Sequence, residues 1–226
     1  EQFNKHGSDE RIDIIAGLLL EKQMLHKNST VLDVGCGPGK FVMEFAKTAN
    51  RVVGADISPK MLEYAAENSA ASGLKNTEFM EIDWENADLA ALDLRKKFSL
   101  VTGIMSPAFN NRKCLEKMME ASNKYCLITH FVERQESIYD MLKKNIVRRN
   151  SVHEYGNNAL YCSFNILWIY KLFPEIVYFN IEKEVVRSFE DAYSYYIARF
   201  EMKGSLTRSQ KAEIEGFLKN RAEDGM

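Results

Sequence analysis

The chain has 226 residues, 46% of them hydrophobic, enough to bury a core of its own. Its formal charge of −2 excludes the global basic field that draws a protein onto nucleic acid or an anionic membrane, while leaving room for a local basic groove. The four cysteines, Cys36, Cys114, Cys126 and Cys162, form no C-x-x-C pair, so neither a closely spaced zinc site nor a disulfide framework is expected.

That usage predicts reduced thiols in a cytoplasmic protein. No apolar run reaches the roughly 18–20 residues that span a bilayer, and no secretory leader is visible. With Glu1 rather than methionine first, preceding residues are expected. A last strand is expected beyond Met226.

From residue 8 to about residue 131, β-branched runs alternate with helical stretches, which predicts βαβ units around a parallel sheet. Ser8, Asp9 and Glu10 supply a cap and first-turn acids for a helix carried by Ile12, Ile15, Ala16, Leu19 and Leu20. Residues 30–35 form a first strand, 41–49 a helix and 51–56 a second strand. Ser58 and Pro59 open the next helix and Gly73 ends it. Residues 77–82, 98–105 and 124–132 are the third, fourth and fifth strands. Beyond residue 133 the pattern changes to a charged helix over 135–150, an aromatic stretch over 155–173, strand-like alternation over 175–188 and closing helices, one opened by Thr207. The reading is one α/β domain over 1–226: a doubly wound, mostly parallel sheet with helices on both faces. Residues 133–173 form a helical cap after strand five.

Residues 31–41 read VLDVGCGPGKF, a buried strand entering a glycine-rich turn and then a helix. Gly35 and Gly37 lack the β-carbon that would keep a ligand off the backbone, and Gly39 allows close approach at the helix start. The loop amides then face the crevice at the strand's carboxyl end. Asp56 ends the second strand, where an acid can accept hydrogen bonds from both ribose hydroxyls of an adenosine. Asp83 and Trp84 end the third, where an acid can accept from the adenine amino group and an indole can pack on the ring. Three neighbouring strand ends thus offer groups for the amino-acid, ribose and adenine parts of one ligand.

VLDVGCGPGKF, VVGADIS and EFMEIDWENADL, in that order, resemble motifs I, post-I and II of the class I S-adenosylmethionine-dependent methyltransferases over about residues 28–132. The G-x-G-x-G differs from the G-x-G-x-x-G of dinucleotide dehydrogenases. The resemblance implies a Rossmann-like fold, S-adenosyl-L-methionine as cofactor and S-adenosyl-L-homocysteine as product. It implies that Gly35, Cys36, Gly37 and Gly39 line the methionine and ribose portion, with Asp56 on the ribose. Ile57 and Met61 would lie beside the adenine, and Asp83 and Trp84 at its edge. Met105, ending the fourth strand, joins the cofactor-facing set. Asp33 organises the loop or meets the methionine end through water. Phe3, Asn4, Lys5 and His6 stand where family members often carry a flap over the cofactor; a frayed terminus is the alternative.

On the acceptor side the fourth strand runs into Ser106-Pro107-Ala108-Phe109-Asn110-Asn111. Many amino-methylating family members acting on nucleic acid or protein carry Asn-Pro-Pro-Tyr there, so this departure argues against DNA adenine or cytosine methylation. Ser106 and Asn110 are candidates to position a small acceptor, the alternative being a capped turn. Methyl transfer is an in-line displacement in which alignment and a dry site matter most. If the nucleophile must lose a proton, His130 at the end of the fifth strand is the candidate base, against a satisfied core histidine. His153 and Tyr155 are weaker candidates. Tyr155, Tyr161, Phe164, Trp168 and Tyr170 read either as core or as a lid for a flat or cationic acceptor. Lys143, Lys144, Arg148 and Arg149 read as a solvated face or as a contact for an anionic substrate or RNA.

The expected activity is methyl transfer to a small-molecule acceptor, with no metal, nucleic acid or membrane partner and the oligomeric state left open. The rival readings are a nucleic-acid methyltransferase, a non-catalytic S-adenosylmethionine sensor and a nicotinamide-dependent oxidoreductase.

Overall fold

The computed structural model describes residues 10–133, 135–148 and 158–223. A five-stranded, all-parallel sheet is ordered β3-β2-β1-β4-β5, with β1 Thr30–Val34, β2 Arg51–Asp56, β3 Thr77–Glu81, β4 Phe98–Ile104 and β5 Ser122–Thr129. The strand order reverses between β1 and β4, the switch point where a doubly wound sheet opens a crevice at its carboxyl ends. Pairings Val34↔Ala55, Asp56↔Glu81 and Ile104↔Thr129 keep neighbouring strand ends level.

Period-two alternation divides the strand side chains between two buried faces. Leu32, Val34, Val53 and Val101 pack with Cys114, Met118 and Ala121 of one helix. Val31, Val52, Leu100 and Ile104 pack with Ile15 and Leu19 of α1 (Glu10–Glu21) and Val42, Phe45 and Ala46 of α2 (Lys40–Ala46). Each fully buried aliphatic side chain contributes about 1.5–3 kcal/mol. Helix α3 (Pro59–Ala71) is started by Ser58, whose hydroxyl accepts the Met61 amide at 3.4 Å, with Pro59 preset at its first turn. The helix that covers the opposite face is α4 (Arg112–Ala121), capped by Asn111. Between β3 and β4 the connection is a run of turns without a helix; it buries Ile82, Trp84, Leu89 and Leu94 in the sheet core.

The described residues fall into two compact units. One, drawn from 1–132 and 156–181, is the sheet unit. It includes α6 (Asn158–Ile169), whose following residue Tyr170 receives an Arg112 Nη2–H bond at 2.6 Å. The other, drawn from 133–155 and 182–226, is helical. There α5 (Ser137–Leu142) continues as a wide turn through Val147, and with α7 (Phe189–Glu201) and α8 (Arg208–Glu223) it buries Tyr139, Leu142, Tyr196, Phe200, Ile214 and Leu218. The Tyr139 and Phe200 rings stack at 4.5 Å, and Arg199 pairs with Glu136.

Three expectations change. The helix expected over 135–150 is α5 plus its wide turn, stopped at Arg148 with φ +49°; Asn150, like Ser8 and Asp9, lies outside the described residues. The run 133–173 is not one cap piece, because its two parts pack in different units. Residues 175–188 form no strand. The segment has no buried face, every residue but Ile181 being exposed; a strand also needs a ladder partner, and among the described residues none pairs with them.

Among the described residues no helix is long and apolar enough to cross a membrane, and no cluster of three His, Cys, Asp or Glu side chains could hold a metal ion.

Candidate functional site

The turn after β1 is held from β2. Ala55, on β2, accepts the Gly35 and Cys36 amides through its carbonyl at 2.7 and 3.0 Å. Asp56 accepts the Gly37 amide on Oδ2 at 2.8 Å and the Ser58 amide on Oδ1 at 2.9 Å. One carboxylate therefore fixes both the glycine loop and the entry to α3, while its remaining lone pairs stay available.

The three loop glycines have left-handed φ values of +73°, +53° and +80°, and each has its own reason to be glycine. At Gly37 a β-carbon would meet nothing within 4 Å, so that position opens onto free space. At Gly35 it would lie 2.0 Å from the Ser106 hydroxyl. At Gly39 it would lie 3.1 Å from Ala65 of α3. The expectation that Gly35 is bare to admit a ligand is corrected: Gly35 makes room for Ser106. At Gly39 the absent β-carbon lets the loop lie against α3.

Ile57, next to Asp56, leaves an aliphatic side chain 65% exposed, and Met61 is half-buried one turn into α3. Asp83 is exposed; it accepts from the Asn86 side chain at 2.8 Å and the Asn86 amide at 3.4 Å, and those bonds, the side-chain one first, hold its carboxyl below the usual range. Trp84 is corrected. Its indole is only 3% exposed, tilted against Phe109 at 6.3 Å, and its Nε1 donates to the Cys114 carbonyl at 3.1 Å, so the ring belongs to the core and offers no face to adenine.

Asp33 lies beneath the loop, fully buried, accepting from Thr102 Oγ1 at 2.7 Å. Burial, opposed by the Thr102 bond and reinforced by nearby Asp56, pushes its carboxyl up to about 7. Burial first, then Asp33 and Asp56, also pushes the Cys36 thiol far up, so it stays protonated.

At the carboxyl end of β4, Met105 has φ +52°, a strained conformation for a non-glycine residue. Its amide donates to Thr129 Oγ1 on β5 at 3.0 Å. Ser106 is corrected from acceptor positioning to turn capping: its buried hydroxyl accepts the Ala108 amide at 3.2 Å and packs against Gly35. Asn110 is exposed and its side-chain oxygen accepts from Asn111 at 3.0 Å. His130 follows Thr129; its Nε2 is buried without a hydrogen-bond partner, and burial lowers its pKa.

Tyr161 and Trp168 are exposed rather than core, with Phe164 stacked on Trp168 at 5.7 Å and Phe173 edge-on to it at 5.0 Å. Lys143, Lys144 and Arg148 belong to the helical unit. Phe3, Asn4, Lys5, His6, Arg149, His153 and Tyr155 lie outside the described residues.

Three contributors escape a sequence reading. Thr102 and Thr129 are ordinary strand residues until the register sets them beside Asp33 and Met105. Lys117 had a readable sign, a charge on the apolar stripe of Cys114, Met118 and Ala121, and its meaning appears only with the loop it meets.

A family model described as a methyltransferase domain matches residues 25–192. Among similar proteins, a tRNA/tmRNA (uracil-C(5))-methyltransferase of Campylobacter lari is 27% identical over 151 residues, covering 65% of this chain and 42% of that protein. A 23S rRNA (uracil(1939)-C(5))-methyltransferase RlmD of Shewanella sediminis is 37% identical over 93 residues, covering 40% and 21%. The chain thus spans less than half the length of either relative. The structure of magnesium protoporphyrin IX methyltransferase (ChlM) from Synechocystis PCC 6803 with bound SAH matches with a TM-score of 0.52 at 17% identity over 71% of each chain, a likeness of fold. Strand order and family match agree: the chain belongs to the methyltransferase-domain family, the class I S-adenosylmethionine-dependent methyltransferases.

Proposed function

We propose that the chain binds S-adenosylmethionine across the carboxyl ends of β1, β2 and β3 and transfers its methyl group to a small-molecule acceptor. The observation that carries the cofactor placement is the pairing of Asp56 with Gly37: the carboxylate is fixed beside a glycine whose missing β-carbon opens onto free space. Asp56 receives the ribose hydroxyls, Ile57 and Met61 flank the adenine, and Asp83 accepts from its amino group. Bound there, the cofactor supplies an electrophilic methyl on a sulfonium. The protein's own part is to align the acceptor and keep water out. Where the acceptor must shed a proton, the neutral imidazole of His130 takes it.

The small-molecule reading has two supports. The net charge of −2 gives no general pull on a polyanion. The fourth strand runs into Ser106-Pro107-Ala108-Phe109 rather than the Asn-Pro-Pro-Tyr of many amino-methylating enzymes that act on nucleic acid or protein. The nucleic-acid reading keeps one observation in its favour, the RNA substrates named for the relatives. A cytoplasmic location is part of the same reading.

The test is to incubate the protein with methyl-labelled S-adenosylmethionine and a cell extract, then separate RNA from small solutes. Label in the small-solute fraction supports the proposal; label confined to RNA overturns its acceptor half. Absence of binding to S-adenosylhomocysteine overturns the cofactor half.

A further inference from the structure

Lys117 is a lysine only 9% exposed on the inner face of α4, and its ammonium meets backbone rather than a carboxylate. Its ammonium donates instead to three main-chain carbonyls, those of Trp84 at 3.0 Å, Glu85 at 2.8 Å and Ala87 at 2.5 Å. All three N–H donors are thereby used.

The carbonyls belong to the connection after β3, which has no helix to bond them internally. Buried carbonyls left unpaired are costly, so something outside the segment must satisfy them. A lysine reaching from α4 does so and gathers three carbonyls around one point, which imposes a curved path on the backbone between Asp83 and Ala87. The same helix holds the segment twice more: the Trp84 indole donates to the Cys114 carbonyl at 3.1 Å, and Asn111, the α4 cap, donates to Glu85 Oε1 at 3.0 Å. Asp83 sits at the mouth of this latched turn, close enough for the Lys117 charge to favour its ionised form.

We infer that Lys117 is a positioning residue for base recognition: it sets the turn that aims the Asp83 carboxylate at the exocyclic amino group of the cofactor's purine. Lys117 touches no ligand; it acts through the backbone of 84–87. The inference rests on the proposed adenine role of Asp83. Removing the three-carbonyl anchor should therefore weaken discrimination at the purine 6-position more than it weakens binding as a whole.

The experiment is calorimetric titration of the whole chain with S-adenosylhomocysteine and with S-inosylhomocysteine, which carries an oxygen where the amino group was. A charge-assisted hydrogen bond lost to that exchange corresponds to about tenfold or more in affinity ratio. Asp83→Asn should bring the ratio down; if it does not, the adenine reading itself fails, separately from any role of Lys117. With that established, Lys117→Met, which fills similar volume but leaves the carbonyls unanchored, should reduce the ratio toward one while the circular-dichroism spectrum stays native. Lys117→Arg, whose planar fork cannot converge on the three carbonyls, should reduce it in part. A ratio unchanged in both variants overturns the inference. Failure of both to fold overturns it too, because Lys117 would then be a cation holding the fold.

Discussion

Asp56 and Gly37 are joined by a 2.8 Å hydrogen bond from the loop amide to the β2 carboxylate. The bond ties the ends of two adjacent parallel strands and sets the loop over the switch point of the sheet. Because the second Asp56 oxygen accepts the Ser58 amide at 2.9 Å, one side chain organises the floor of the crevice before any ligand arrives.

Asp56→Ala should therefore have two effects. It leaves two amides without their acceptor, at about 1–3 kcal/mol, and lowers Tm by several degrees. It also removes the proposed ribose acceptor and should weaken S-adenosylhomocysteine binding at least tenfold by calorimetry. Asp56→Asn keeps an acceptor oxygen and should bind with intermediate affinity. Equal affinities in all three proteins would remove Asp56 from the site.

The loop glycines should separate stability from binding. Gly35→Ala places a β-carbon 2.0 Å from the Ser106 hydroxyl at φ +73°, so thermal unfolding should show a loss of about 2 kcal/mol or more. Adding Ser106→Gly should recover part of it. Gly37→Ala meets no neighbour within 4 Å and should cost only the backbone strain, about 1 kcal/mol, yet bind S-adenosylhomocysteine poorly. If Gly37→Ala binds normally, the space above Gly37 is not the ligand's.

That contrast marks where sequence reasoning stops. The order of glycine loop, Asp56 and Asp83 is legible because parallel strands bring successive carboxyl ends to one edge. The reason for Gly35 is not, because its neighbour Ser106 lies in the turn after another strand and proximity comes from register. The burial of Trp84 is not legible either, because a strand-end aromatic can point into the crevice or into the core, and the Cys114 carbonyl that draws it inward belongs to α4. The segment 175–188 alternates like a strand, but alternation cannot supply an edge to pair with.

Asp33 should make stability depend on pH. Its carboxyl titrates near 3.8 when unfolded and at about 7 when folded. Between those values the native state holds the extra proton, so this residue's contribution is fully present below pH 4 and is lost as pH rises through 7. The total is at most about 4 kcal/mol. Asp33→Asn, which retains an acceptor for Thr102, should raise Tm at pH 8 and leave it nearly unchanged at pH 4, measured without ligand. An equal shift at both pH values would show that the Asp33 carboxyl titrates alike in the folded and unfolded states, which contradicts the raised value.

His130 should shape the acid limb of the rate. Burial lowers its pKa below 6.5, so the imidazole is neutral at pH 7 and loses function only as it protonates. Once an acceptor is known, His130→Gln should lower kcat by about 10²–10⁴-fold and abolish the low-pH inflection while KM for S-adenosylmethionine holds. An unaltered pH profile would return His130 to the core.

The central claim is that the crevice bounded by Gly37 and Asp56 seats an adenosyl group. A crystal structure of the chain with S-adenosylhomocysteine tests it most directly. The account predicts both ribose hydroxyls within about 3 Å of the Asp56 carboxylate oxygens, with the ligand backbone crossing Gly37 and the purine beside Ile57. Ligand density elsewhere on the molecule, with Asp56 still bonded only to its two amides, would contradict it.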